Sequence, residues 1–501
     1  MKKYIFFNTE PNANILGLNP IINAFWDKRM EKLAGYRTSS FIYEIKDGIM
    51  NAGLLKKEWD KMVRIFFQRF LDDHSFPEKL KKILERDGRG LYLTSQEALV
   101  KHRSNLLSEQ DKKKTLLRIF SLYTTVCLPG LVGPIIEFGS GGMAEKIREI
   151  LKRKNLSALK LKTNECLTTL VYPDKITWTE KRRDALYKLA AGIYQRREKP
   201  ANLSRPSLVE INGYVRKWGW SYYGYTGPEY SKQNALEEIK IILDKNSDPA
   251  RQLKRIKNGH QDKIKEQKAL ARKLNLNFEE QYFIRAARDF SYTKAYRANL
   301  MSLACYTISK LLLDFVKKEN YSLNQIGVCT VREVTAYLKE KRPLPPVSVL
   351  NKRRQYSLLI SQEKNDRVLV GRMAASWVKN NVIREKVDKN LKELTGTVTC
   401  TGKVQKISGF TRVVVSSRDL HKVGNGDILI SATTIPDYVP AMRRAGAIVT
   451  ETGGLTCHAA IMSRELDKPC LVGVKHLLQV FKDGIRAEVD MEKGIIKKYG
   501  K

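Results

Sequence analysis

Cysteine is scarce in this 501-residue chain. The seven residues, at 127, 166, 305, 329, 400, 457 and 470, include no Cys-x-x-Cys pair. That spacing argues against a disulfide framework and a structural zinc site, and makes a reducing, cytoplasmic location the expectation. Long apolar stretches are rare too. The longest, Leu116 to Phe138, is interrupted by Arg118, Pro129, Gly130, Gly133 and Pro134. It reads as a broken, buried helical hairpin, and no membrane association is expected. The N-terminus, Met1-Lys2-Lys3-Tyr4-Ile5-Phe6-Phe7, carries too few apolar residues for a signal peptide. Acidic residues are in deficit, 53 against 91 Lys plus Arg, for a formal charge of +38. Such an excess admits phosphorylated metabolites, nucleotides, nucleic acid or a membrane surface as partners. It is spread along the whole chain, so a lysine-rich composition accounts for it without any polyanion.

What is present is ordinary for a globular protein: 42% hydrophobic and 29% charged residues, with length for about three domains. From about residue 20 to 390 the pattern is helical. Trp59, Met62, Val63, Phe66, Phe67 and Phe70 recur at three- and four-residue spacing, and Asn234 to Leu243 and Ala298 to Val316 repeat the signal. Lys245 to Leu274 reads as a long exposed helix or helical pair. Past residue 395 the period changes to short β-rich runs, among them Asp427 to Ile430, Ala447 to Thr450 and Cys470 to Val474, separated by glycine turns. Helical stretches at Pro436 to Ala445 and His458 to Leu466 interrupt them. The expected architecture is a large, mostly helical N-terminal domain over residues 1–390, followed by a small β/α domain over 391–501, with a hinge at Lys392 to Gly396.

The chemistry sits in Thr450-Glu451-Thr452-Gly453-Gly454-Leu455-Thr456-Cys457-His458-Ala459-Ala460-Ile461-Met462-Ser463-Arg464-Glu465-Leu466. A strand ends in a Gly-Gly turn where positive φ and close backbone approach are allowed. Thr456 is placed to cap a helix beginning at His458. The helix start disfavours imidazolium, which leaves a neutral, nucleophilic ring, and its free amides would stabilise a phosphoryl dianion on it. A histidine after a glycine turn is also often only structural. A Cys457–His458 metal site is not expected, because adjacent side chains diverge and no further ligand cluster lies near in sequence. Cys457 as a nucleophile lacks a base.

Gly453 to Leu466 resembles the phosphohistidine segment of the phosphoenolpyruvate-utilising enzymes, among them phosphoenolpyruvate synthase, pyruvate phosphate dikinase, enzyme I of the sugar phosphotransferase system and rifampicin phosphotransferase. The likeness continues upstream through Thr434-Ile435-Pro436 and Val439-Pro440-Ala441-Met442, and downstream through Pro469-Cys470, Val472-Gly473 and Val489-Asp490. It implies a mobile, swivelling domain in which His458 becomes phosphorylated, with Thr456 as a phosphate contact and Gly453 and Gly454 forming the loop. The helical region is similar, more weakly, to helical linker and acceptor regions of synthase-like phosphotransferases, through Trp218-Gly219-Trp220, Tyr225-Thr226-Gly227-Pro228, Arg285 to Arg297 and Cys329 to Val334.

Neither an ATP-grasp pattern nor the C-terminal barrel of the complete enzymes is recognisable. Phe138 to Gly142 is glycine-rich without a P-loop ending, and reads as a turn between helices. The resemblance therefore implies a split enzyme, as in phenylphosphate synthase, whose histidine-bearing subunit is a separate polypeptide. No cofactor is expected on this chain. ATP and magnesium would be held by an ATP-grasp-type donor protein in trans, and the acceptor would be a small molecule. Acceptor contacts are sought in the aromatic and basic cluster around Trp218, Trp220 and Tyr225, and in Arg288, Lys294 and Arg297 as supports for a phosphoryl group, although core packing and a solvated basic face explain the same residues. Two other readings stay open: a regulatory phosphohistidine protein, and a basic nucleic-acid-binding protein with an inert swivelling domain, although nucleic acid is not the expected partner.

Overall fold

The computed structural model describes residues 3–499 except 12, 47, 140–141, 245–247, 364, 384–386, 389, 403, 436–437 and 455–456. Helices Phe76–Arg103, Glu109–Gly139 and Phe278–Lys318 form the spine of the N-terminal unit. They approach closely where side chains vanish. A Cβ on Gly130 would fall 2.5 Å from Arg297 Cδ, so this glycine lets the 41-residue helix lie against Glu109–Gly139. The expected hairpin at 116–138 is one continuous helix that runs through Pro129 and Pro134. The buried packing around it, including Val126, Cys127 and Val132, holds the segment helical despite the backbone bonds that proline removes. By length and composition this helix and Phe278–Lys318 are apolar enough to cross a membrane, but both are mostly buried within the molecule.

A second, smaller core joins Trp178–Gln195, Arg205–Trp218 and Lys232–Leu243 through Leu186, Ile193, Ile211, Trp218, Trp220 and Ile239. The charged stretch after 245 is a single helix, Pro249–Lys273, capped by Asp248 and largely exposed.

The N-terminal unit is not helical throughout. Strands Tyr4–Pro11, Ile49–Leu55, Ser40–Lys46, Tyr356–Gln362 and Asn365–Val370 form, in that spatial order, an all-antiparallel sheet. Its inner strand Ser40–Lys46 is buried on both faces except at Lys46, so it shows no alternation of the kind an exposed strand writes into a sequence. Buried Glu44 accepts from Asn51 and from Tyr356 at 2.8 Å, tying the late hairpin to the early one.

The C-terminal unit is one eight-stranded sheet. Four parallel strands occupy its middle, in the order Lys406–Val413, Ile428–Ser431, Ala447–Thr450 and Cys470–Val472. Antiparallel strands flank them, Thr397–Cys400 on one side and Arg486–Asp490, Ile495–Lys498 and Glu393–Thr395 on the other. Both faces of the parallel strands Ile428–Ser431, Ala447–Thr450 and Cys470–Val472 are covered. Ile428, Ile430, Ala447, Val449 and Leu471 point into one core, while Leu429, Ile448, Cys470 and Val472 meet Met442 and Ala460 of helices Val439–Arg444 and His458–Leu466 in the other. Glu393–Thr395 is thus part of the sheet, and Gly396 N–H donates to Gly494 at 2.9 Å. The hinge expected at 392–396 is fixed structure, because pairing to the last strand holds it.

Candidate functional site

Parallel strands deliver their following loops to the same sheet edge, which is where such sheets bind ligands. Here the loop after Ile428–Ser431 carries Thr434, and the loop after Ala447–Thr450 carries Gly453 and Gly454 and ends at His458. The loops are tied together. Thr452 donates through both its amide and its hydroxyl to the Ala432 carbonyl at 2.8 Å, and Ser431 Oγ donates to the Thr433 carbonyl at 2.7 Å. Gly453 has φ +124°, and a Cβ there would stand 2.8 Å from Cys457 Sγ. The loop needs glycine at that position. Gly454 faces the N-terminal unit, where an added Cβ would sit 3.2 Å from Glu137 Oε1.

His458 is the first residue of its helix, and Cys457 holds the cap position. Thr456, expected as the cap and a phosphate contact, lies outside the described residues. Instead, Thr434 Oγ1 stands 2.8 Å from His458 Nδ1. With the proton on Nδ1 the ring donates to Thr434 and leaves the Nε2 lone pair free. Burial pushes the imidazole pKa down to about 4. The ring is therefore neutral, as the sequence implied, with desolvation as the cause rather than the helix start. Thr434 was quoted in the sequence only as part of a motif. Its role is readable only once strands 428–431 and 447–450 are known to be parallel neighbours.

His458 opens onto a cavity of about 710 Å³ whose walls come from both units. Tyr225, Lys294 and Arg297, three of the residues singled out in the sequence, line it. Among the described residues none of Lys294, Arg297 and Arg443, all on its wall, has a carboxylate within ion-pair distance. Arg297 Nε is buried without a partner. Lys294 is near enough to Cys457 to oppose the upward push that burial gives that thiol. The other wall is aromatic, with Phe7, Phe41, Tyr43, Trp178, Tyr222 and Tyr225. Tyr225 donates to Glu10 Oε2 at 2.8 Å, and burial and the Glu10 charge hold its phenol well above the ordinary range. Sequence reasoning missed Glu10 and Trp178, which reach the cavity only through the unexpected sheet and through helix–helix packing.

The remaining candidates lie elsewhere. Trp218 and Trp220 are 7% and 2% exposed in the smaller core. Trp220 packs edge-on behind Trp178, one layer back from the cavity. Arg288 donates to Gln267 Oε1 at 2.6 Å and pairs with Asp174 at 2.9 Å, so its charge is already engaged. Among the described residues no group of three His, Cys, Asp or Glu is placed to hold a metal ion.

Residues 423–494 match the family described as PEP-utilising enzyme, mobile domain. The chain is similar to a probable phosphoenolpyruvate synthase of Archaeoglobus fulgidus, 55% identical over 89 residues that make up 18% of this chain and 12% of the relative. It is also similar to phosphoenolpyruvate synthase of Pyrococcus furiosus, 47% identical over 91 residues, 18% of this chain and 11% of the relative. A third is that of Pseudomonas aeruginosa, 39% identical over 120 residues, 23% and 15% respectively. The matched stretches span between a tenth and a sixth of the length of these curated relatives. The matched residues 423–494 lie wholly within the C-terminal unit.

Proposed function

We propose that this chain is the relay component of a phosphotransferase, in which His458 Nε2 takes a phosphoryl group from a donor and passes it to an acceptor in the cavity. The observation that carries this reading is the neutral His458 ring, fixed by Thr434, at the mouth of a cavity with three cations that have no carboxylate within ion-pair distance among the described residues. In the first step Nε2 attacks phosphorus and the donor's bridging oxygen leaves with the bonding pair. With His458 back in the cavity, Lys294, Arg297 and Arg443 are suited to hold the equatorial oxygens as the group passes to the acceptor. The donor is proposed to be nucleoside triphosphate with magnesium on a separate ATP-grasp-type protein, and the chain to act in the cytoplasm. The likeness to phosphoenolpyruvate synthases supports phosphoryl-transfer chemistry in the matched domain.

The test is labelling. Incubation of the full chain and donor protein with γ- or β-labelled nucleotide should give a label that resists alkali and is lost in acid, the behaviour of a phosphoramidate. His458→Ala should abolish it while the chain stays folded, losing about 1 kcal/mol with the Thr434 hydrogen bond. A label retained in that variant, or one stable to acid, would place the phosphoryl group on another residue.

A further inference from the structure

Three free cysteines gather behind the helix His458–Leu466, and two of them face each other across paired strands. Thr397–Cys400 runs antiparallel to Cys470–Val472, in a register that sets Cys400 opposite Cys470 and Val398 opposite Leu471, passing over Thr399. Opposed residues on antiparallel strands have Cα atoms about 4.5 or about 5.5 Å apart. Either spacing lies inside the range of about 4.4–6.8 Å that a disulfide spans. Opposed side chains also leave the sheet on one face. Here both thiols pack in the core under the helix, Cys470 fully buried and Cys400 half-buried. Cys457, the third member, is buried at the helix cap and is opposed to neither. Among the described residues these thiols form no metal-binding group. Arg464, on the same helix, donates from Nε to the Thr399 carbonyl at 3.2 Å and is near enough to act electrostatically on all three sulfurs. The strand beside it is a vulnerable one. Thr397–Cys400 has four residues, forms an edge of its sheet, and pairs with a single neighbour through the shifted register. The chain between the two cysteines carries Thr434, Gly453 and His458.

We propose that Cys400 and Cys470 close a reversible disulfide when a hydroperoxide reaches the chain, and that this bond clasps the edge strand and the segment carrying His458 to the sheet. Cys400 reacts first, because it alone of the three is not fully buried. Its thiolate attacks one peroxide oxygen, the O–O bond breaks, and the oxyanion that leaves takes up the thiol's proton. Cys400 is then a sulfenic acid. The Cys470 sulfur attacks the Cys400 sulfur, the S–O bond breaks, and hydroxide leaves with the Cys470 proton as water. Two thiols have given two electrons to the peroxide. Burial raises both thiols, Cys470 to about 12, and the thiolate is the reactive form. Closure should therefore be slow near about pH 7 and several-fold faster near about pH 9.

The test uses the full chain without any donor, so its outcome is independent of the relay. The three cysteines fall in separate tryptic peptides, 393–403, 445–464 and 465–475. After treatment with hydrogen peroxide and alkylation of the remaining thiols, 393–403 should be found joined to 465–475. Dithiothreitol should release the pair, and Cys400→Ser should lack it. A crosslink restricts the unfolded ensemble, so the oxidised chain should unfold at a higher urea concentration than the reduced one. Cys400→Ser and Cys470→Ala, treated alike, should show no such rise. A link between Cys457 and Cys470, or Cys400 carried on to sulfinic acid with no partner, would overturn the pairing. A Cys400–Cys470 link that leaves the unfolding midpoint unchanged or lowered would overturn the clasp.

Discussion

The His458 ring is governed by one hydrogen bond and by desolvation, and the two have separable consequences. Thr434→Val removes the hydroxyl 2.8 Å from Nδ1. The ring then loses its orientation and the preference for a lone pair on Nε2, so labelling should slow by about 10- to 100-fold, the usual effect of losing a group that orients a functional histidine. The fold should lose only about 1 kcal/mol. Desolvation sets the pH behaviour. A solvated histidine protonates near about 6.5, but this ring stays neutral to about 4. For stability the sign is fixed by the folded pKa lying below the unfolded one. The unfolded chain takes up the proton first, so the stability is fully present above about 6.5 and is lost as pH falls toward about 4. Urea unfolding of His458→Asn should show a smaller drop than the parent between about pH 7 and pH 5, and an equal drop would mean the ring is not held neutral.

At the scale of elements, the loop entering the helix His458–Leu466 depends on Gly453. With φ at +124° and Cys457 Sγ in the way, Gly453→Ala should cost on the order of 1–3 kcal/mol of strain. It should reduce labelling while the sheet persists, which circular dichroism and a labelling time course would show together. This part of the molecule was legible because its signals are local. Buried parallel strands read as apolar runs, glycine turns separate them, and the strand 447–450 and helix 458–466 fall where the pattern put them. The N-terminal sheet was not legible. Ser40–Lys46 finds its partner Tyr356–Gln362 some three hundred residues away, and Tyr356–Gln362 follows helix Val347–Gln355 with no glycine or proline between them. The aromatic cluster misled for a related reason. Composition marks Trp218, Trp220 and Tyr225 alike, but only packing separates a core side chain from a wall, and only Tyr225 is on the wall. Lys294 and Arg297 also recur on one helix with Arg288, yet Arg288, about one and two-thirds turns before Lys294, points to another face and meets Asp174. Because they face the cavity, Lys294→Met or Arg297→Met should slow transfer to the acceptor by about 10²–10³-fold, measured as decay of preformed label on adding acceptor.

For the whole molecule, the proposed relay requires a histidine that serves a donor on another chain and a cavity on this one to leave the cavity. The connection available for that movement is short. Ile383 N–H is bonded to the Tyr4 carbonyl at 2.8 Å on one side, and the Lys392 carbonyl accepts from Lys498 at 2.7 Å on the other. The backbone change therefore has to be absorbed upstream of the strand Glu393–Thr395, whose pairing to Ile495–Lys498 fixes it. Trypsin should cut there and release a C-terminal fragment that stays folded, since its two cores draw their buried residues from position 394 onward. Acid should promote the same movement. Out of the cavity His458 regains solvent and an ordinary pKa, so protons bind the undocked form more tightly and shift the equilibrium toward it. Cleavage should accordingly quicken as pH falls from about 7 to 5.5, once corrected for trypsin's own pH dependence with a peptide substrate, and His458→Asn should lack the acceleration. A small molecule bound in the cavity should slow cleavage at both pH values, because its contacts exist only while the two units share the walls. If cleavage is unaffected by pH in the parent chain, or falls within 392–396 instead, the domain does not move by the route the hydrogen bonds leave open.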